Sequence, residues 1–315
     1  MALDEATKAV LKLMEEADRP ELWTLNPAAA RAQVDPLTEA SEHEPEEMAQ
    51  VENRSIPGPA GDIPVRIYTP VESAAPLPVL VFYHGGGFVI GTLDTHDSAC
   101  RTLARAGGCI TVAVDYRMGP EARFPAAVDD GYAALEWVAA HAGEFGGDPA
   151  RLAVGGDSAG GNIAAVVAQL ARDRNGPKLA YQLLIYPATD ARRDAGLYAS
   201  YKGNSQGYML THDLMSWFES HYISDAADKT DPRMSPLLAD SLAGLPPAFV
   251  VTAGFDPLLD EGKAYADRLA EAGVPVEYHC YENTIHGFIN MGRFIPTAVA
   301  ALEDMGRRLK TALAG

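Results

Sequence analysis

Cysteine is scarce in this chain: there are three in 315 residues, Cys100, Cys109 and Cys280. An odd number without metal-ligand spacing supports neither a disulfide framework nor a zinc site, and the three read as small apolar residues in a reducing compartment. Positive charge is also short, with 25 basic against 43 acidic side chains and a formal net charge of −18. Such a surface repels phosphate backbones and anionic headgroups, so neither nucleic acid nor a membrane surface is an expected partner. Nowhere do 18 successive apolar residues occur, which leaves no candidate bilayer span. The first twenty residues place Asp4 and Glu5 where a secretory signal is basic, and they lack its apolar run. A cytoplasmic location is the expectation, and the glycosylation triplet Asn53-Arg54-Ser55 is discounted accordingly. Internal repeats and low-complexity tracts are missing too. What is present is a globular composition, 47% apolar and 22% charged, with enough chain for a sizeable core.

Up to about residue 48 the pattern is helix and acidic loop, with Val10, Leu11, Leu13 and Met14 at helical spacing. Two strands joined at Pro57-Gly58-Pro59 follow. Strands and helices then alternate: strand 78–83, helix 96–107, strand 109–116, helix 126–145, strand 151–156, helix 160–173 and strand 181–187. The alternation lapses over residues 190–235, where only Asp213 to about Tyr222 reads as helix. It resumes with strand 246–256, helix 258–272, strand 274–282 and a last helix over 296–314. This order predicts an α/β protein with a mostly parallel sheet of about eight strands, flanked by helices on both faces. Residues 49–189 and 236–315 form its core. Residues 1–48 and the 190–235 insertion have no place in the sheet and are expected to lie together over one end as a lid. In such sheets ligands bind at the carboxyl ends of the strands.

At one of those ends stands Gly156-Asp157-Ser158-Ala159-Gly160, a G-x-S-x-G between a buried strand and a helix. That context is what a nucleophile elbow requires: the serine occupies a sharp turn that closes only between glycine-sized neighbours. The helix start beneath it offers unpaired N–H groups to a developing oxyanion. Strand 78–83 ends in His84-Gly85-Gly86-Gly87-Phe88, where successive glycines let backbone N–H groups approach a substrate oxygen, with the Ala159 N–H as a further donor. Neither glycine cluster has the spacing of a phosphate loop or a dinucleotide turn. His84 reads as a brace for its own loop.

A serine hydroxyl needs a base, and the base needs a group to hold its tautomer. Of eight histidines, His286 is the one in a loop just past the last strand. Asp256 directly follows the preceding strand, while Asp260 and Glu261 lie a turn into the next helix and point less naturally at the site. The chain order Ser158, Asp256, His286 is that of α/β-hydrolases.

The motifs HGGGF (84–88), DYRMGPEARFPAAVDD (115–130), GDSAGG (156–161), DPLLDEG (256–262) and HGF (286–288) resemble those of the hormone-sensitive-lipase-like bacterial esterases and lipases, over nearly the whole chain from residue 50. Met118-Gly119 departs from the Leu-Ala more usual in that family. The resemblance implies an α/β-hydrolase fold with a helical cap and hydrolysis of short- to medium-chain esters without metal or cofactor. It implies Ser158 as nucleophile, His286 as base, Asp256 as its partner, and Gly86, Gly87 and Ala159 as oxyanion donors. Phe88, Trp23, Tyr208, Trp217 and Phe218 are candidate pocket residues. A homodimer through the edge strand 274–282 is a further expectation. Amides, lactones or carbamates could serve the same triad, and receptors on this scaffold bind without turnover; a lipase working at an oil surface fits an acidic chain poorly.

Overall fold

The computed structural model describes residues 2–193 and 196–314, so residues 194 and 195 of the expected insertion lie outside the described residues. Two helices come first, α1 (Glu5–Glu16) and α2 (Pro27–Ser41). Asn26 caps the start of α2 by accepting from the Ala29 N–H, Pro27 sits in its first turn, and Pro36 lies inside the helix. The hairpin β1 (Gln50–Gly58) and β2 (Gly61–Thr69) leads into β3 (Leu77–Tyr83), α3 (Asp97–Gly107), β4 (Ile110–Val114), α4 (Ala126–His141), β5 (Gly147–Asp157), α5 (Ala159–Asp173) and β6 (Tyr181–Ile185). The insertion carries α6 (Ala199–Gly203), a short helix the sequence did not announce, and α7 (His212–Tyr222). The chain ends with β7 (Ala248–Phe255), α8 (Leu259–Glu271), β8 (Val276–Ile285) and α9 (Pro296–Ala312).

The eight strands form one sheet in the order β1-β2-β4-β3-β5-β6-β7-β8. The two pairings of β2 are antiparallel, and every pairing from β4 to β8 is parallel. Strands β4 and β6 are buried along their whole length, which fits their largely apolar sequences. One apolar cluster joins the sheet to α4, α5 and α8, and a second joins it to α3 and α9 on the other face. The α3–α9 contact is close because Gly306 lacks a side chain: a Cβ there would fall 2.4 Å from that of Ala106. A third cluster brings Ala30 of α2 together with Tyr201 of α6, Trp217 and Phe218 of α7, and Val89 and Leu258 of the core. Cys100 and Cys109 are buried, but Cys280 is only half-buried because β8 is the sheet edge. Among the described residues no helix is long and apolar enough to cross a membrane.

The strand order places the carboxyl ends of β3, β5, β7 and β8 on one rim. The Met118-Gly119 departure has a local reason there. A Cβ at Gly119 would lie 2.6 Å from the His221 carbonyl oxygen, so the close approach of α7 requires glycine.

Candidate active site

Between β5 and α5 a single residue, Ser158, makes the turn, with φ 55° and ψ −116°. The flanking glycines permit it. A Cβ on Gly156 would fall 2.4 Å from the Gly160 carbonyl carbon, and one on Gly160 would fall 1.9 Å from the Tyr83 oxygen. The backbone of Ser158 is held by its N–H donating to Ile185 O at 2.9 Å and by its carbonyl accepting from Asn162 and Ala188. Such enforced strain at a nucleophile fixes the direction of its side chain.

His286 and Asp256 reach Ser158 through the pairing of β7 with β8. The register shifts between Ala253 and Phe255, and Phe255 then pairs with Ile285, so the next residue of each strand is Asp256 and His286. Gly254 allows the irregularity, since a Cβ there would lie 2.2 Å from Glu282 O. His286 Nε2 is 2.8 Å from Ser158 Oγ, and Nδ1 is 2.7 Å from Asp256 Oδ2. Asp256 is fully buried, and its Oδ1 accepts from the Leu258 N–H at 2.8 Å. The Tyr186 ring, which the sequence reading missed, packs against His286 with centroids 4.7 Å apart.

The glycine loop after β3 is held open by positive φ at Gly86 (116°) and Gly87 (59°). The Gly85 N–H donates to Asp157 Oδ1 at 2.7 Å. Among the described residues the N–H groups of Gly86, Gly87 and Ala159 donate to no acceptor, and Ala159 is also the first residue of α5. His84 braces the loop: Nδ1 donates to Gly85 O at 2.7 Å, and the ring stacks on Tyr116, whose hydroxyl donates to His84 O. Burial pushes its imidazole down to about 4, so it stays neutral.

The pocket residues fare unequally. The Phe218 ring lies on the oxyanion loop, where a Cβ on Gly87 would fall 2.3 Å from it. Tyr208 is half-buried against Phe255 at 5.2 Å, and Met209 Sδ lies 3.3 Å from where a Gly287 Cβ would be. Phe88 needs correction as a lining residue. Its own φ is 63°, which turns the ring into the core, where it is 4% exposed and stacked on Tyr222 at 4.2 Å. Trp217 is likewise occupied, its Nε1 donating to Leu25 O at 3.1 Å, and Trp23 packs on the third cluster.

Glu261 has a role the sequence did not disclose. Fully buried in α8, it accepts from the Thr189 and Asp190 N–H groups and from the Tyr201 hydroxyl, joining the insertion to the core. Burial pushes its carboxyl up from 4.5 to about 8, against the opposing pull of those N–H groups and Arg193. The folded state therefore holds this proton more tightly than the unfolded chain does. The resulting stability is complete below pH 4.5 and is lost, at roughly 1.4 kcal/mol per unit, as pH rises towards 8. Thermal unfolding followed from pH 5 to 9 is expected to show a falling Tm, with a shallower fall in Glu261→Gln. An equal slope in the variant would remove Glu261 as the cause.

With this geometry described, comparison with known proteins gives a consistent result. A family model for the alpha/beta hydrolase fold matches residues 80–290. The chain is 46% identical over 294 residues to the carboxylic ester hydrolase LipN of Mycobacterium tuberculosis, covering 90% of this chain and 76% of LipN. It is 46% identical over 286 residues to carboxylesterase NlhH of the same species, covering 89% and 86%. Among solved structures, a mutant of an α/β hydrolase from the metagenome of Lake Arreo superposes with a TM-score of 0.96 at 48% identity, covering 99% of each chain. The chain belongs to the α/β-hydrolase family, in its hormone-sensitive-lipase-like group of carboxylic ester hydrolases.

Proposed function

We propose that this chain hydrolyses short- to medium-chain carboxylic esters through an acyl-enzyme. Ser158 is the nucleophile, His286 the proton carrier and Asp256 its fixed partner. The observation that carries this reading is the unbroken path of hydrogen bonds from Asp256 through His286 to Ser158, ending beside three unspent N–H groups.

Ser158 Oγ adds to the ester carbonyl carbon while its proton passes to His286 Nε2. The carbonyl electron pair moves onto oxygen, facing the N–H groups of Gly86, Gly87 and Ala159; each such donor contributes about 2.7–4 kcal/mol when tested by deletion. When the tetrahedral species collapses, its C–O bond to the alcohol breaks and the alcohol leaves with the proton from Nε2. Water then repeats the sequence on the acyl group and releases the acid. Asp256 accepts from Nδ1–H throughout and stabilises the imidazolium.

Residues 1–48 and 190–235 act as a cap over this site. The Phe218 ring beside Gly87 and Met209 beside Gly287 support a preference for shorter acyl groups, because they take up space next to an oxyanion donor and next to the base. Rates across p-nitrophenyl esters from acetate to palmitate, with one p-nitroanilide control, test the reading. The kcat/KM is expected to peak at short or medium chains, with the anilide far slower. Palmitate matching acetate, or the anilide matching the esters, would overturn it.

A further inference from the structure

Beneath the oxyanion loop lies a buried pair that the steps above do not use. Asp157, the residue before the nucleophile, is 2% exposed, and His96, just before α3, is 4% exposed. Asp157 Oδ1 accepts from the Gly85 N–H at 2.7 Å and lies 3.2 Å from His96 Nε2. A Cβ on Gly85 would fall 2.4 Å from Oδ2, so the carboxylate and the turn are in direct contact. Asp157 therefore ties the loop that carries Gly86 and Gly87 to the strand end that carries Ser158.

The partners of the His96 ring suit an imidazolium. Thr95 Oγ1 has one proton, which it donates to Thr92 O at 2.9 Å, and it accepts from the Thr92 N–H at 2.9 Å. With the hydroxyl turned that way, His96 Nδ1, 2.8 Å from the same oxygen, is a donor. Nε2 faces a carboxylate, which only accepts. A ring that donates from both nitrogens is an imidazolium. The imidazolium requires the Asn290 amide to be turned over, so that Oδ1 rather than Nδ2 lies 3.0 Å from Nε2. Around the ring, Asp157 is joined by Glu42 and by Asp35 of α2, while neutral His84 lies 5.6 Å away, centroid to centroid. Burial alone would lower the imidazole pKa, but the carboxylates outweigh it and raise it. Burial would likewise raise the Asp157 carboxyl, and His96 outweighs that and holds it low.

A negative charge this close to the loop would oppose an oxyanion unless something cancelled it. We propose that His96 is a positioning residue for ester hydrolysis: its positive charge neutralises Asp157, which can then grip the oxyanion loop without opposing the charge that develops on the substrate. This rests on the ester-hydrolase reading of the site.

The test compares full-length wild type, His96→Gln, Asp157→Asn and the double variant on p-nitrophenyl acetate. Stoichiometric titration with a phosphonate ester counts competent sites, so unfolded protein is not read as a slow rate. His96→Gln leaves the carboxylate without its counter-ion. Its kcat is expected to fall ~10–100-fold with KM within about threefold, the scale of one uncancelled charge beside an oxyanion. It should also gain a new decline with rising pH, as Asp157, no longer held low, loses its proton. The other groups around Asp157 are His84 from the loop after β3, Tyr116 after β4, Tyr186 after β6 and Cys100 of α3. Burial drives the first down and the other three well up, so none changes charge near neutrality.

Asp157→Asn keeps an acceptor for the Gly85 N–H and leaves no charge to cancel, so its kcat should drop less than about fivefold. The double variant should match Asp157→Asn and outrun His96→Gln. A double variant no faster than His96→Gln, a loss carried by KM, or a pH profile parallel to wild type would each overturn the proposal. Should His96→Gln fail to fold, a gap above about threefold between Asp157→Asn and the double variant overturns it equally. A wild type inert towards the ester defeats the functional reading and this inference with it, whereas the variant pattern bears on the inference alone.

Discussion

Ser158→Ala lowers the kcat for p-nitrophenyl acetate by roughly 10⁴–10⁶-fold, the scale seen when a serine nucleophile is removed from a comparable triad. The loss is that large because the other groups cannot act without it. With no Oγ, the imidazole has no alcohol to deprotonate, and only the oxyanion donors and substrate positioning remain to assist water. The fold should survive. Among the described residues Ser158 Oγ hydrogen-bonds only to His286, and the turn is held by backbone contacts to Ile185, Asn162 and Ala188 that alanine keeps. Steady-state rates paired with thermal unfolding check both halves, and the Tm is expected to stay level. A folded variant retaining a tenth of wild-type turnover would remove Ser158 from the reaction.

Asp256→Asn should cost nearly as much, about 10⁴-fold in kcat near neutral pH, although it changes one atom. Asp256 Oδ1 is committed to the Leu258 N–H, so in the variant the amide nitrogen faces His286 Nδ1. Two donors then meet, and the imidazole relieves the clash by carrying its proton on Nε2 instead. In that tautomer it cannot accept the Ser158 proton. KM should barely move, since Asp256 is buried beneath the ring and touches no substrate. A loss below tenfold in a folded variant would mean that another acid, Asp260 or Glu261, orients the base. Both are otherwise engaged: Asp260 accepts from the Ser200 N–H and Glu261 from Thr189 and Asp190.

Much of the site was legible in the sequence because its chemistry is written in short stretches. The elbow depends on glycines two residues either side of Ser158, and the collisions a Cβ would meet at Gly156 and Gly160 are the physical content of that pattern. The oxyanion loop is similarly local. His286 and Asp256 could be read because each follows a strand whose periodicity marks where it ends. Phe88 was misplaced for a reason the pattern does not contain: whether the residue after three glycines faces ligand or core depends on its own positive φ.

The sequence by itself determined the alternation of strands and helices, the strand-end positions of the three reacting groups and the acidic, cysteine-poor surface, since each follows from neighbours within a few residues. Only the tertiary structure decided what meets across the chain. Asp157 and Gly85 are 72 positions apart and Trp217 and Leu25 are 192, and no periodicity records such contacts. The charge on His96, the proton on Glu261 and the walls of the pocket all depend on burial and on partners brought in from other elements. A side chain's chemistry is set by its own residue type, but its ionisation and its reach are set by whatever the fold packs against it.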